Sequence, residues 1–104
     1  MRVKIEDRVF DAMDEFYDAS MTKHPLLSLE TVLSKEKRMI ADLKQLEFCA
    51  ESMAPARFRE DWKRNEYLDF MTEGFHFGFR IEELPSGERV VVIYDACPDL
   101  LFHD

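Results

Sequence analysis

The sequence predicts an α+β fold: two N-terminal helices packed on one face of a mainly antiparallel sheet of four to five strands, in the order β-α-α-β-β-β. Three observations carry this expectation. Apolar residues recur at three and four positions through the first half of the chain, and from about Glu66 they alternate instead. The cleanest alternation sets Phe75, Phe77, Phe79 and Ile81 against His76, Gly78, Arg80 and Glu82. A turn signal, "LPSG", joins that stretch to an apolar run, "RVVVIY". At 104 residues the chain fits a single domain, 1–104, that buries about two-thirds of its unfolded surface.

Taken in order, "RVKIE" alternates, with Val3 and Ile5 opposite Arg2 and Lys4, and predicts a short half-buried strand. Val9, Met13, Phe16 and Tyr17 then follow helical spacing, with Asp7 placed to cap and acids crowding the first turns, where the helix dipole favours them. Pro25 ends this helix, because the residue before a proline resists the helical conformation. Ser28 caps a second helix through Leu29, Val32, Leu33, Ile40, Leu43 and Leu46, running to about Cys49 or Ala50. In "MAPARFREDWKRN", Phe58 and Trp62 fit one helical turn while Pro55 and the charge density fit an extended connection, and both stay open. "EYLDFMT" alternates again, Glu73-Gly74 signals a tight turn, and the hairpin of 75–94 follows. "RVVVIY" is apolar on both faces and predicts an interior strand, while "LLFHD" is expected to add a last short strand.

The net charge is −8, from 22 acids and 14 bases. Eight of those bases lie in residues 27–65, against seven acids, whereas residues 66–104 hold two bases and nine acids. A body this acidic repels nucleic acid unless its bases gather in one patch. The densest positive run is Arg57, Arg59, Lys63 and Arg64, interrupted by Glu60 and Asp61. Cys49 and Cys97 stand alone, without a CxxC or Cys/His cluster, which predicts two reduced thiols in a cytoplasmic protein. The N-terminus has no apolar run long enough for a signal peptide, and no stretch approaches the ~20 apolar residues of a membrane span.

The polar side of the hairpin raises the functional question. If Leu84 faces Glu88 across the loop, Phe79 meets Ile93 and Ile81 meets Val91 on the buried face. The other face then pairs Arg80 with Val92, Gly78 with Tyr94 and His76 with Ala96, so His76, Arg80 and Tyr94 share one side. A bulge at Gly87 breaks that arrangement. Histidine moves protons near neutral pH, arginine clamps phosphate with two hydrogen bonds, and tyrosine stacks on a base or donates its hydroxyl. The competing reading is an ordinary solvent face. No nucleotide-binding, hydrolase or zinc-protease motif is present. A metal site from His76, His103 and a carboxylate has no spacing signature, so no metal and no cofactor is expected.

The stretch "ARFREDWKRNEYLDFMTEGFHFGFRIEELPSGERVVVIYDACPDLLFH" resembles the RelE/ParE toxins of bacterial type II toxin–antitoxin systems. It is similar to that family's basic second strand, its Phe- and Tyr-rich third strand ending in an arginine, its turn, its Val-rich fourth strand and its terminal His or Tyr. The helical half matches in pattern only. In the ribosome-dependent branch of that family, the resemblance implies an endoribonuclease that cuts mRNA on this sheet face. Arg80 then matches the third-strand arginine, and His103 the terminal residue that assists proton transfer. Arg57, Arg59, Lys63 and Arg64 lie near the basic second strand, in position to bind nucleic acid. His76 and Tyr94 have no assigned counterpart and enter from the residue reading alone.

Such toxins are usually basic, and this chain is not. Two function classes therefore stand side by side. One is a toxin that inhibits translation, with an antitoxin protein and the ribosome and mRNA as partners. The other is a non-catalytic, toxin-like protein-binding module, for which a homodimer is one form. Neither involves a membrane.

Overall fold

The structure is a computed structural model and describes residues 1–103; Asp104, the last residue of the expected terminal strand, lies outside the described residues. Arg2–Ile5 forms β1, and the helical repeat that follows forms α1, Asp7–Lys23. Asp7 opens that helix as its first residue rather than capping it; Glu6 holds the cap position without a side-chain bond. Ser28 does cap α2, Leu29–Lys44, its hydroxyl accepting from the Thr31 amide at 3.1 Å. A short helix α3, Leu46–Cys49, and a 3-10 turn, Ala50–Ser52, complete the second helical stretch.

Segment 53–67, with two readings open, uses both of them. Residues 54–56 run extended along the sheet edge, bonding Ala56 N–H to the Tyr67 carbonyl and Asp69 N–H to that of Ala54. The dense charges then form one helix, α4, Glu60–Arg64, with acids at its start and bases at its end as the dipole favours. The strands β2 (Leu68–Thr72), β3 (Phe75–Glu83) and β4 (Arg89–Pro98) follow.

Among the described residues the sheet has four strands in the order β1-β4-β3-β2. It is mixed, with β2–β3 and β3–β4 antiparallel and β1 parallel to β4. The expected fifth strand is instead a helical turn, α5, Asp99–Phe102. Pro98 lacks an amide donor and closes the strand, and the chain turns into α5 behind it.

The expected register holds from the loop inward. The Leu84 amide bonds the Glu88 carbonyl at 2.8 Å, Ile81 faces Val91, and Phe79 faces Ile93. Gly87 takes φ +87 inside this loop without shifting the strands. The shift falls at Gly78/Phe79 instead. Gly78 therefore pairs with Asp95 rather than Tyr94, and His76 with Cys97 rather than Ala96. The extra residue brings Tyr94 to stack on Tyr67 and Asp95 to accept from Trp62, while the other Asp95 oxygen lies 3.4 Å from Arg8 of α1.

Phe75, Phe77 and Phe79 are buried against the helices together with Val9, Met13, Tyr17, Met39 and Leu43. Phe16 meets Phe75 edge-on, with ring centres 5.2 Å apart. The opposite side of the sheet carries a second, smaller apolar cluster of Ala56, Trp62, Cys97 and Phe102, with Tyr67 packed against it. The sheet is thus covered on both sides at its β2–β3 end, where the sequence suggested an open polar face. Among the described residues, no helix is long and apolar enough to cross a membrane.

Candidate functional site

Alternation puts His76, Gly78, Arg80 and Glu82 of β3 on the side away from the long helices. There they meet three pieces of chain distant in sequence: segment 53–67, the bulge in β4, and α5. Gly78 lets the first of these in. A Cβ there would stand 2.8 Å from Tyr67 Cδ2 and 3.1 Å from Trp62 Cε3. Trp62 is fully buried and donates its indole N–H to Asp95 at 2.9 Å.

His76 sits at the centre of one polar cluster and is only 6% exposed. Its Nδ1 lies 3.0 Å from both carboxylate oxygens of Asp69, and its Nε2 lies 2.7 Å from Asp99 Oδ1. Phe102 stacks on the ring with centres 3.7 Å apart and planes within 10°. His103, one turn of chain beyond Asp99, brings its Nε2 to 3.3 Å from the same Asp99 oxygen and rests edge-on against Phe58. The bond from His76, and then that from His103, hold the Asp99 carboxyl below its usual range. His103 is thereby tied into the fold rather than hanging as a loose tail.

Arg80 and Tyr94 form a second cluster on the same side. Tyr94 donates its hydroxyl to Glu82 at 2.9 Å and stacks on Tyr67 with planes 4° apart. Burial first, and then the bond to Glu82, push the Tyr94 hydroxyl up to about 12. Arg80 Nε stands 3.3 Å from the same Glu82 carboxylate. Beside them a groove of about 680 Å³ opens toward β1, lined by Arg2, Lys4, Glu82, Val92 and Tyr94 among others.

The basic run does not form one patch. Arg59 turns inward to Asp61, at 3.5 Å, and to the Cys97 sulfur, at 3.1 Å. Its backbone takes φ +69, an uncommon conformation for a residue with a side chain. Lys63 pairs with Glu60 at 2.8 Å within α4. Arg57 and Arg64 are exposed. Asp61, Asp69, Glu82, Asp95 and Asp99 all serve these clusters, so carboxylates stand among the bases on the covered side of the sheet.

The residues singled out from the sequence thus gather as two pairs on one side of the sheet, His76 with His103 and Arg80 with Tyr94. Arg57, Arg59, Lys63 and Arg64 border that side along segment 53–67. Sequence reasoning missed Asp69 and Asp99, which hold the two histidines, and Asp95, which holds Trp62. Asp69 was open to prediction: the two-residue turn at Glu73-Gly74 sets it opposite Gly78, diagonally beside His76. Comparison with known protein families, with curated proteins and with solved structures finds no match to this chain.

Proposed function

We propose that this chain is the toxin-like component of a toxin–antitoxin module and inhibits translation on the ribosome, through the side of its sheet away from the long helices. One observation carries the reading: His103, His76, Arg80 and Tyr94, drawn from two strands and the C-terminal turn, stand on that one side. In this reading Arg80 holds a phosphate and His103, half-exposed at the rim, exchanges the proton needed to cut mRNA. His76 is too buried to meet a phosphate and positions His103 through Asp99.

Charge decides where this chemistry runs. Arg59, Lys63 and Arg80 each already stand beside a carboxylate, and the whole chain is at −8. Free RNA is repelled by such a body, whereas a ribosome-bound message is brought to it by the ribosome. Induced expression in bacteria should arrest growth and amino-acid incorporation, and Arg80→Ala and His103→Ala should relieve the arrest while retaining the circular dichroism of the parent. Growth and incorporation unchanged by the parent protein in several hosts would overturn the toxin reading.

The paired cations favour a second reading, a non-catalytic binding module of the same build. Its contact surface is then the helical hairpin, where Leu26, Leu29 and Leu33 are 99%, 60% and 51% exposed. A concentration-dependent dimer in sedimentation equilibrium, dispersed by Leu29→Glu, in a protein that leaves translation untouched, distinguishes it.

A further inference from the structure

The His76 cluster has the layout of a metal site. The ligand atoms offered by His76, Asp99 and His103 all lie within 4.8 Å of one another. The His103 Nε2 to Asp99 Oδ1 separation is 3.3 Å. Two ligands held ~2.0–2.1 Å from one tetrahedral ion stand about 3.3 Å apart, so this edge already has the required length. The His76 Nε2 to Asp99 Oδ1 separation, 2.7 Å, is shorter. A carboxylate shift of about 0.6 Å opens it to the same value, and Asp99 is free to make that shift, being 41% exposed at the side chain.

The support behind His76 points the same way. Metal-bound histidines give their second ring nitrogen to a carboxylate, which fixes the tautomer and the ring plane. Asp69 fills that role at Nδ1, with both oxygens at 3.0 Å, and Phe102 lies flat on the ring. Nε2 is thus aimed at Asp99, with a His103 ring nitrogen within 4.8 Å, and the exposed sides of Asp99 and His103 leave room for solvent in a fourth position.

We propose that His76 Nε2, the Asp99 carboxylate and a ring nitrogen of His103 bind one divalent transition-metal ion of the zinc type. Two imidazoles and one carboxylate select zinc, nickel or copper over calcium and magnesium, which prefer all-oxygen shells. Binding displaces any proton held between His76 and Asp99, so affinity falls as the pH is lowered. The site stands on this geometry whether or not the protein is a toxin.

The test uses the full-length chain stripped with a chelator. Zinc is titrated by calorimetry, and cobalt is followed by its visible absorption, which reports coordination number. One ion per chain with tetrahedral cobalt bands is expected. Asp99→Ala, at a half-buried position, and His103→Ala, at an exposed one, should abolish saturable binding while keeping the parent's circular dichroism. Asp69→Asn should weaken binding by about 10–100-fold although it touches no metal, the loss seen when a supporting carboxylate is removed. His24→Ala should bind as the parent does. Absence of saturable binding, or binding that survives Asp99→Ala and His103→Ala, overturns the proposal; loss in His24→Ala alone assigns the ion to a surface histidine and overturns it equally.

Discussion

Gly78→Ala is the sharpest test of how the second side of the sheet is closed. The added methyl would stand 2.8 Å from Tyr67 Cδ2 and 3.1 and 3.2 Å from Trp62 Cε3 and Cδ2. Carbon atoms rest near ~3.5–4.0 Å, so the tyrosine ring has to retreat by roughly 1 Å. Neither ring is free to do so. Trp62 is fully buried and pinned to Asp95, and Tyr67 is stacked on Tyr94, itself tied to Glu82. Overpacking of this kind costs ~1–3 kcal/mol. Replacing glycine also restricts the unfolded chain, which offsets about 0.4–1 kcal/mol. The net loss is therefore ~1–2 kcal/mol. For a domain of this size it lowers Tm by about 4–16 °C. Thermal unfolding followed by circular dichroism measures it in Gly78→Ala, Tyr67→Ala and the double variant. In the double variant the nearest contact is gone, so the cost of the methyl should shrink. An unchanged or raised Tm in Gly78→Ala, or a cost undiminished in the Tyr67→Ala background, would refute the reasoning.

Two further predictions concern titration and reactivity. Tyr94, with its hydroxyl pushed up to about 12, stays neutral in the fold while an unfolded tyrosine ionises near ~10. The stability it contributes is intact below about pH 10 and is lost as the pH rises toward about 12. Burial raises Tyr17 and Tyr67 as well, so Tyr94→Phe should flatten the alkaline loss in urea-unfolding series without removing it; an unaltered slope would count against the Tyr94 environment described above. Burial also pushes the Cys97 thiol up, against the opposing pull of Arg59, and leaves it 3% exposed. A disulfide reagent should therefore titrate Cys49 alone in the native protein and Cys97 only on unfolding, and Cys49→Ser should remove the native reaction; two fast thiols would contradict the packing.

The parts of this molecule that are local in sequence are readable in it. The alternation of Phe75, Phe77 and Phe79 fixes which side of β3 meets the helices, and Ser28 marks the start of α2 with its own side chain. The LPSG loop sets the register of β3 on β4 as far as Phe79. What the periodic pattern does not carry is the cover over the second side. Trp62 and His76 both meet Phe102, across 40 and 26 positions of chain, and no repeat links them. Gly78 was the available signal, since a glycine inside a good strand marks a close approach by other atoms. The bulge moved Asp95 into reach of Trp62 and Cys97 opposite His76 for the same reason, and alternation alone has no term for an inserted residue. The cations of 57–64 form the densest positive run in the sequence, but sequence proximity does not reveal which acid each one faces; Asp61 and Glu60 sit among them and take two.

The pairing of β1 with β4 has a consequence for how the protein is made. Arg2 aligns with Val90 and Ile5 with Ile93, so β1 finds its neighbour only after the whole stretch between β1 and β4 has been made. Until then Val3 and Ile5 have no sheet to join, and α1, which packs mainly on β4, has no floor. Closing a loop of nearly the whole chain is an entropic barrier, and topologies of this kind fold slowly. The sheet closes as a unit only once β4 is available to pair with both β1 and β3. A chain cut before β4 therefore lacks the surface on which His76, Arg80, Tyr94 and His103 come together.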